Sequence, residues 1–304
     1  MSLLRHRGFT LVELLIAIVL LGIFATGIYK VILNNQRTFA AQTQRIDLQQ
    51  NIRAAATILP GELREVDAGD SDIVAMDTTS ITIRAMRQLA IICTPPILGV
   101  AGNLTLTVRQ TPVFGDRQTF QIGDSLLIYW EGNPGTRADD SWLRAGVAAA
   151  PVNVACTDAL AQPGFQLVVT PRWGGAATNT VGGITNGSPV RRFEVVQYLA
   201  WQSPSDNLYY LGQRVNGSTQ PLVGPLIGSN GLGFSYFDST GAATTGNVAQ
   251  VAMIGIKLRG RTSQMIRQED DPSLAYKYDS VSIRVAVRNN PRCGAGAMPP
   301  RACS

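Results

Sequence analysis

Histidine is nearly absent from this 304-residue sequence: the single one is His6, and residues 9–304 contain none. That lack removes Ser-His-Asp and Cys-His catalysis, and any histidine-ligated metal, from almost the whole chain. An enzyme would have to run on carboxylates, lysine, tyrosine or cysteine alone. The expectation is therefore a protein that is not an enzyme, with no cofactor and no metal site. Charge is also scarce, at 15% of residues, against 45% apolar. Such a balance excludes a disordered chain and suits a globular body plus one apolar segment. The formal charge of +5 falls to +3 when Arg5 and Arg7, in the first eight residues, are set aside. So weak a bias is no argument by itself for nucleic acid. No proline occurs before Pro60, and no CxxC pair occurs among the four cysteines.

An apolar run fills the N-terminal space left by those absences. Between Phe9 and Tyr29 the only charge is Glu13. At 1.5 Å per residue this segment makes about 31 Å of helix, enough to cross a bilayer's hydrocarbon core. Arg5 and Arg7 on the short flank hold that end in the cytoplasm and place the bulk of the chain across the membrane. A secretory signal peptide would have a shorter run and a small-x-small cleavage site, and Ile23-Phe24-Ala25-Thr26-Gly27 is a poor one. A plain signal anchor leaves Glu13 unexplained, because a carboxylate in a membrane helix costs a few kcal/mol without a partner.

The stretch Gly8-Phe9-Thr10-Leu11-Val12-Glu13, behind a short basic leader, resembles the cleavage and methylation motif of type IV prepilins. The resemblance implies that prepilin peptidase cuts between Gly8 and Phe9, that the new amino group of Phe9 is methylated, and that Glu13 serves assembly. In a water-free filament core the Glu13 carboxylate needs a cation. The α-amino group of a neighbouring Phe9 supplies one and sets register, as a buried polar group can. The implied partners are other pilins or pseudopilins, the peptidase and inner-membrane lipid, with a surface or DNA ligand possible at a filament tip. The implied location is a single pass through the inner membrane with a periplasmic C-terminal domain, then a filament after assembly.

Beyond Lys30 the pattern turns amphipathic, with Val31, Ile32, Phe39, Ile46, Ile52, Ile58 and Leu59 among polar residues. The spacing predicts a helix over residues 9–59, about 76 Å long. Pro60-Gly61 is expected to kink or end it, with ELREVDA adding up to two further turns. After residue 66 the period changes to two. Strands are predicted at 80–86, 104–110, 119–131, 166–171, 193–202, 207–215, 232–238, 249–260 and 280–288, with loops at 132–164 and 172–192. The expected fold class is α+β: a leader (1–8), an N-terminal transmembrane and assembly helix (9–66, with 9–29 in the membrane or filament core), and one antiparallel β-rich domain (67–304). The order of VVQYLAWQ, LYYLGQRV, LGFSYFDSTGA, VAMIGIKLRG and SVSIRVAVRNN resembles the PilW-like and J-type pseudopilin group. That resemblance, with the chain's length, implies a minor or tip subunit. The alternatives are a tip adhesin, a DNA-binding minor pilin, or a type II secretion pseudopilin.

Cys93, Cys156, Cys293 and Cys303 fit two disulfides in an oxidising compartment, with three connectivities open. Proximity favours Cys293–Cys303 and leaves Cys93–Cys156; the other reading is free, buried thiols. Asp67, Asp70 and Asp72 have a calcium-like spacing, but Gly69 and the lack of a following glutamate favour a turn. Glu269, Asp270 and Asp271 read as a solvated acidic loop. Arg191-Arg192, Arg259 and Arg261 read as surface charge. Trp130, Trp142, Trp173 and Trp201, scattered without basic interleaving, read as core or loop anchors rather than a stacking platform.

Overall fold

The computed structural model describes residues 10–99, 101–133, 135, 139–159, 161–173, 181–267 and 273–287. It is α+β: among the described residues one α-helix, α1 (Leu11–Arg64), is followed by β-strands and two single-turn 3-10 helices. The helix passes through Pro60 rather than stopping there. Leu59 and Leu63, on either side of that proline, are fully buried; packing of this last turn outweighs the lost N–H. Leu48, Ile52, Ala55, Leu59 and Leu63 recur at three- and four-residue spacing and make the helix's buried stripe. Gly260 marks where this stripe crosses the sheet: a Cβ there would sit 2.9 Å from both Ile52 Cδ1 and Leu48 Cδ1.

The strands before residue 180 are β1 (Ile73–Met76), β2 (Ser80–Leu98), β3 (Leu104–Arg109), β4 (Phe114–Gly115), β5 (Ser125–Trp130), β6 (Ser141–Val147), β7 (Val152–Ala155) and β8 (Pro163–Arg172). After it come β9 (Pro189–Gln202), β10 (Tyr209–Val215), β11 (Ser218–Leu226), β12 (Leu232–Phe237), β13 (Met253–Arg261), β14 (Ile266–Arg267), β15 (Leu274–Ala275) and β16 (Tyr278–Ala286). All but β14 and β15 belong to one antiparallel sheet among the described residues.

Two differences from the sequence reading matter. The region expected to be loop at 132–164 contains β6 and β7, and the segment after β10 contains β11. More importantly, the β region has two cores. Strands β2, β3, β8, β6, β5 and β9 pair in that order, and β9 pairs back onto β2. The result is a closed six-stranded barrel, filled by Ile92, Leu106, Leu126, Ile128, Leu143, Leu167 and their neighbours. The other core lies between α1 and the sheet of β1, β2, β9, β10, β11, β12, β13 and β16.

The long strands β2 and β9 belong to both cores. On β2, Ile81, Ile83 and Ala85 face the helix, whereas Ala90 and Ile92 face the barrel interior. A bulge between Met86 and Gln88 moves the inward face from odd to even residues. On β9, Val190 fills the barrel while Val196 and Tyr198 fill the helix core.

Between the two cores lies a charged layer. Arg87 Nη1 reaches the Glu62 carboxylate of α1 at 2.9 and 3.1 Å, and its Nε reaches Glu194 at 3.3 Å. Arg192 donates to Glu194 at 3.1 Å and also to Asp116. Cys93 and Cys156 are bonded, with Cα atoms 5.3 Å apart, and tie β2 to the segment after β7. The 63-residue separation corresponds to about 4 kcal/mol in the loop-entropy account. Cys293, Cys303 and the acidic run 269–271 lie outside the described residues.

Candidate functional site

Thr10 opens α1 as its N-cap. The Thr10 hydroxyl accepts from Glu13 N at 3.2 Å, while Glu13 Oε2 accepts from Thr10 N at 3.1 Å and from the Thr10 hydroxyl at 3.0 Å. This is a reciprocal capping box. The carboxylate therefore has local partners, which the sequence reading missed although the pattern Thr-x-x-Glu announces them. Gly8 and Phe9 lie outside the described residues.

The helix from Leu11 to Val31 is bare. Leu11, Leu21, Ile23, Phe24 and Val31 are all more than 60% exposed, and none of this apolar stretch packs on the body among the described residues. It is long and apolar enough to cross a membrane. Its polar Thr26 hydroxyl donates to Ile23 O at 2.8 Å, so that group is satisfied inside the helix.

The next stretch is amphipathic in an unexpected direction. Ile32, Phe39 and Ile46 stand seven residues apart and are 48%, 70% and 53% exposed. At 100° per residue they sit about 160° around the helix from the buried stripe that begins at Leu48. One face thus holds the body, and the opposite face carries a heptad-spaced apolar row with no cover.

The remaining sites from the sequence resolve as follows. Asp67 Oδ1 accepts from Gly69 N at 2.8 Å and Asp70 N at 3.2 Å, which makes DAGDSD a turn. Among the described residues no three acidic, histidine or cysteine side chains group as metal ligands. Arg192 is 2% exposed and belongs to the charged layer, so it is not surface charge; Arg191, one residue before, points outward. Arg259 is exposed, and Arg261 lies over the Tyr276 ring at 4.3 Å. Trp130 and Trp173 pack against the barrel core. Trp142 is neither core nor isolated: Arg191 covers its ring at 4.2 Å, and Tyr129 meets it edge-on at 5.3 Å.

The features gathered here define a class: a single membrane-length helix, capped at its outer end and unpacked along half its length, carrying an antiparallel β head. Among family models, the prokaryotic N-terminal methylation motif matches residues 3–29. That match covers the N-terminal segment alone and supports a type IV pilin-like prepilin. No curated protein and no solved structure matches the chain.

Proposed function

We propose that this chain is a minor pilin or pseudopilin, cut between Gly8 and Phe9 by prepilin peptidase, methylated at Phe9 and inserted through α1 into a type IV pilus-like filament. The observation that carries this reading is the bare apolar helix beginning inside the methylation motif. Before assembly the helix spans the inner membrane and the β head lies on the periplasmic side. The head's size and its second core favour a low-copy subunit that primes assembly or caps the tip, in a pilus or in a type II secretion pseudopilus. In the filament the Glu13 carboxylate leaves its Thr10 cap for the α-amino group of a neighbour's Phe9.

The test separates cap from charge. Glutamine at position 13 still accepts the Thr10 N–H, because a capping box takes Glu or Gln, but it cannot pair with an ammonium group. Glu13→Gln is expected to be inserted, cut and methylated normally, by mass spectrometry of the mature N-terminus. Its recovery in sheared filaments should fall at least about tenfold. Recovery at the wild-type level would show that the carboxylate works only as a cap. An uncut Gly8-Phe9 bond in the wild-type chain would overturn the reading itself.

A further inference from the structure

The sheet ends on one side in β16. Among the described residues this strand pairs with β13 alone, from Tyr278 to Ala286, and without a bulge. The bonds from Val287 N–H to Ala252 O and from Thr262 N–H to Lys277 O continue that ladder in the same register at its two ends. Odd-numbered residues of β16 therefore turn their N–H and C=O groups toward β13, and even-numbered ones turn theirs to the open side. Of these outward groups, the Ser280 N–H is accepted by Asp279 Oδ1 at 2.8 Å. The N–H groups of Ser282, Arg284 and Ala286 have no partner among the described residues. Proline and bulges, two devices that keep an edge from pairing, are both absent from the strand. The side chains are unfinished on the same side. Val285 is buried against the helix core, but Val281 and Ile283, which also face it, are only partly covered. On the opposite face Arg284 lies over the Phe237 ring at 5.1 Å and has no acidic partner among the described residues.

We propose that β16 is an acceptor edge for an extended segment of another protein, added antiparallel as one more strand. The register dictates the chemistry of that segment. It needs β-branched residues opposite Val281 and Ile283 to complete the apolar rim, hydroxyl residues opposite Ser280 and Ser282, and an acid opposite Arg284. A second copy of this chain does not fit. Two identical edges join antiparallel only through a two-fold axis perpendicular to the sheet. Because α1 packs across β11, β13 and β16, that axis would reverse the direction of α1 in the second copy. One membrane segment would then point away from the bilayer that holds the other. This exclusion rests on the proposed membrane anchoring, whereas the acceptor edge does not.

The probe is a peptide written to this pattern, Thr-Val-Glu-Val-Thr-Val-Thr, with blocked ends and a fluorophore, and the target is the full-length chain in detergent. Anisotropy is expected to show saturable binding. Hydrogen exchange, read by mass spectrometry with fragmentation, should show the Ser282, Arg284 and Ala286 amides slowing when peptide is added. The Val281, Ile283 and Val285 amides, already bonded to β13, should be slow in both states. Ser282→Pro removes one outward N–H and leaves the β13 ladder intact, so it should weaken binding at least about tenfold. Arg284→Glu should weaken it about fivefold, and a peptide with Gln in place of Glu should erase that difference. Circular dichroism melts confirm folding, and Arg284→Glu decides the matter if Ser282→Pro does not fold. The proposal is overturned by no saturable binding, by undiminished binding to folded Ser282→Pro, or by equal binding of a peptide of the same composition without the alternation. Slow exchange at Ser282, Arg284 and Ala286 before peptide is added overturns it too. Protection independent of protein concentration would assign the edge to residues 288–304, and protection that grows with concentration would assign it to a second copy. Cleavage at Gly8-Phe9 does not enter these measurements, so this inference and the proposed function fail separately.

Discussion

Asp67 and Asp72 sit in the turn that joins α1 to the sheet, and both carboxyls are pushed up to about 6. Burial is the main cause for each, and the nearby acids of the same turn add to it. The Asp67 N–H to Asp72 Oδ2 bond at 3.1 Å opposes the shift at Asp72 without cancelling it. A carboxyl raised from 3.8 to about 6 binds its proton in the folded chain at pH values where the unfolded chain has released it. Stability is therefore expected to rise as pH falls from about 7 to about 4, and to gain nothing more below the unfolded value. Asp116 does not blur this window, because Arg192 overcomes its partial burial and holds it below the usual range. Asp72→Asn keeps an acceptor for the Asp67 N–H but removes the charge. It should raise Tm at pH 7 by a few degrees and flatten the rise between pH 7 and pH 5. A wild-type Tm that falls steadily over that interval would contradict the assignment. The turn was legible from DAGDSD, as was the Thr10–Glu13 cap from its spacing, because both depend on residues close in sequence. What was not legible was the burial of Asp72, which needs the body folded around it.

Along α1 two apolar rows share one helix and have different jobs. Leu48, Ile52, Ala55, Leu59 and Leu63 are covered by the chain's own sheet, and burial of each large side chain contributes about 1.5–3 kcal/mol. Ile32, Phe39 and Ile46 are covered by nothing among the described residues, and their heptad spacing fits a second helix. Substitutions on the two rows should therefore separate folding from assembly. Ile52→Ala is expected to cost the head about 2–4 kcal/mol in a denaturant titration. Phe39→Asp should leave that titration unchanged while reducing recovery of the subunit in filaments several-fold. If Phe39→Asp instead lowered the denaturation midpoint as much as Ile52→Ala, the row would be packed on the body. Period alone revealed this helix and the strands that alternate cleanly, such as β3, β8, β12 and β16. It failed where alternation is broken or masked. β2 was read as ending near Met86 because the bulge at Arg87 inverts its inward face, and because Pro95-Pro96 follow. β6 carries Leu143, Ala145 and Val147 inward, but it is short and lies in a stretch rich in Gly and Ala. β11 contains Pro221 and Pro225, which read as loop.

On the scale of the whole molecule, the unexpected feature is that one sheet closes a barrel and also backs a helix. No local pattern can announce it, because closure depends on β2 pairing with β9 more than a hundred residues later. Those same pairings suggest how separable the barrel is. Among the described residues the helix core draws on α1, on residues up to Ala85 and on residues from Val196 onward, and on none between. Met86 faces Phe193 at the end of the paired stretch that runs back to Ser80 and Leu199. Replacing residues 87–192 by Asn-Gly would join these strands through a two-residue turn whose twist suits a hairpin. It removes Arg87 and Arg192 together with the barrel, so Glu62 and Glu194 become solvent-exposed instead of being left as buried, unpaired charges. The shortened chain is expected to melt cooperatively and to enter filaments as the full chain does. Arg87→Leu in the intact chain should behave in the opposite way. With the barrel still present it leaves Glu62 without its partner in the layer between the cores, while Glu194 keeps Arg192; because Glu62 is only partly buried, the cost is about 1–3 kcal/mol. Denaturant titration of the two chains side by side checks the argument. A shortened chain that cannot fold, beside an Arg87→Leu chain of wild-type stability, would mean that the two cores depend on each other through apolar contact rather than through this charged layer.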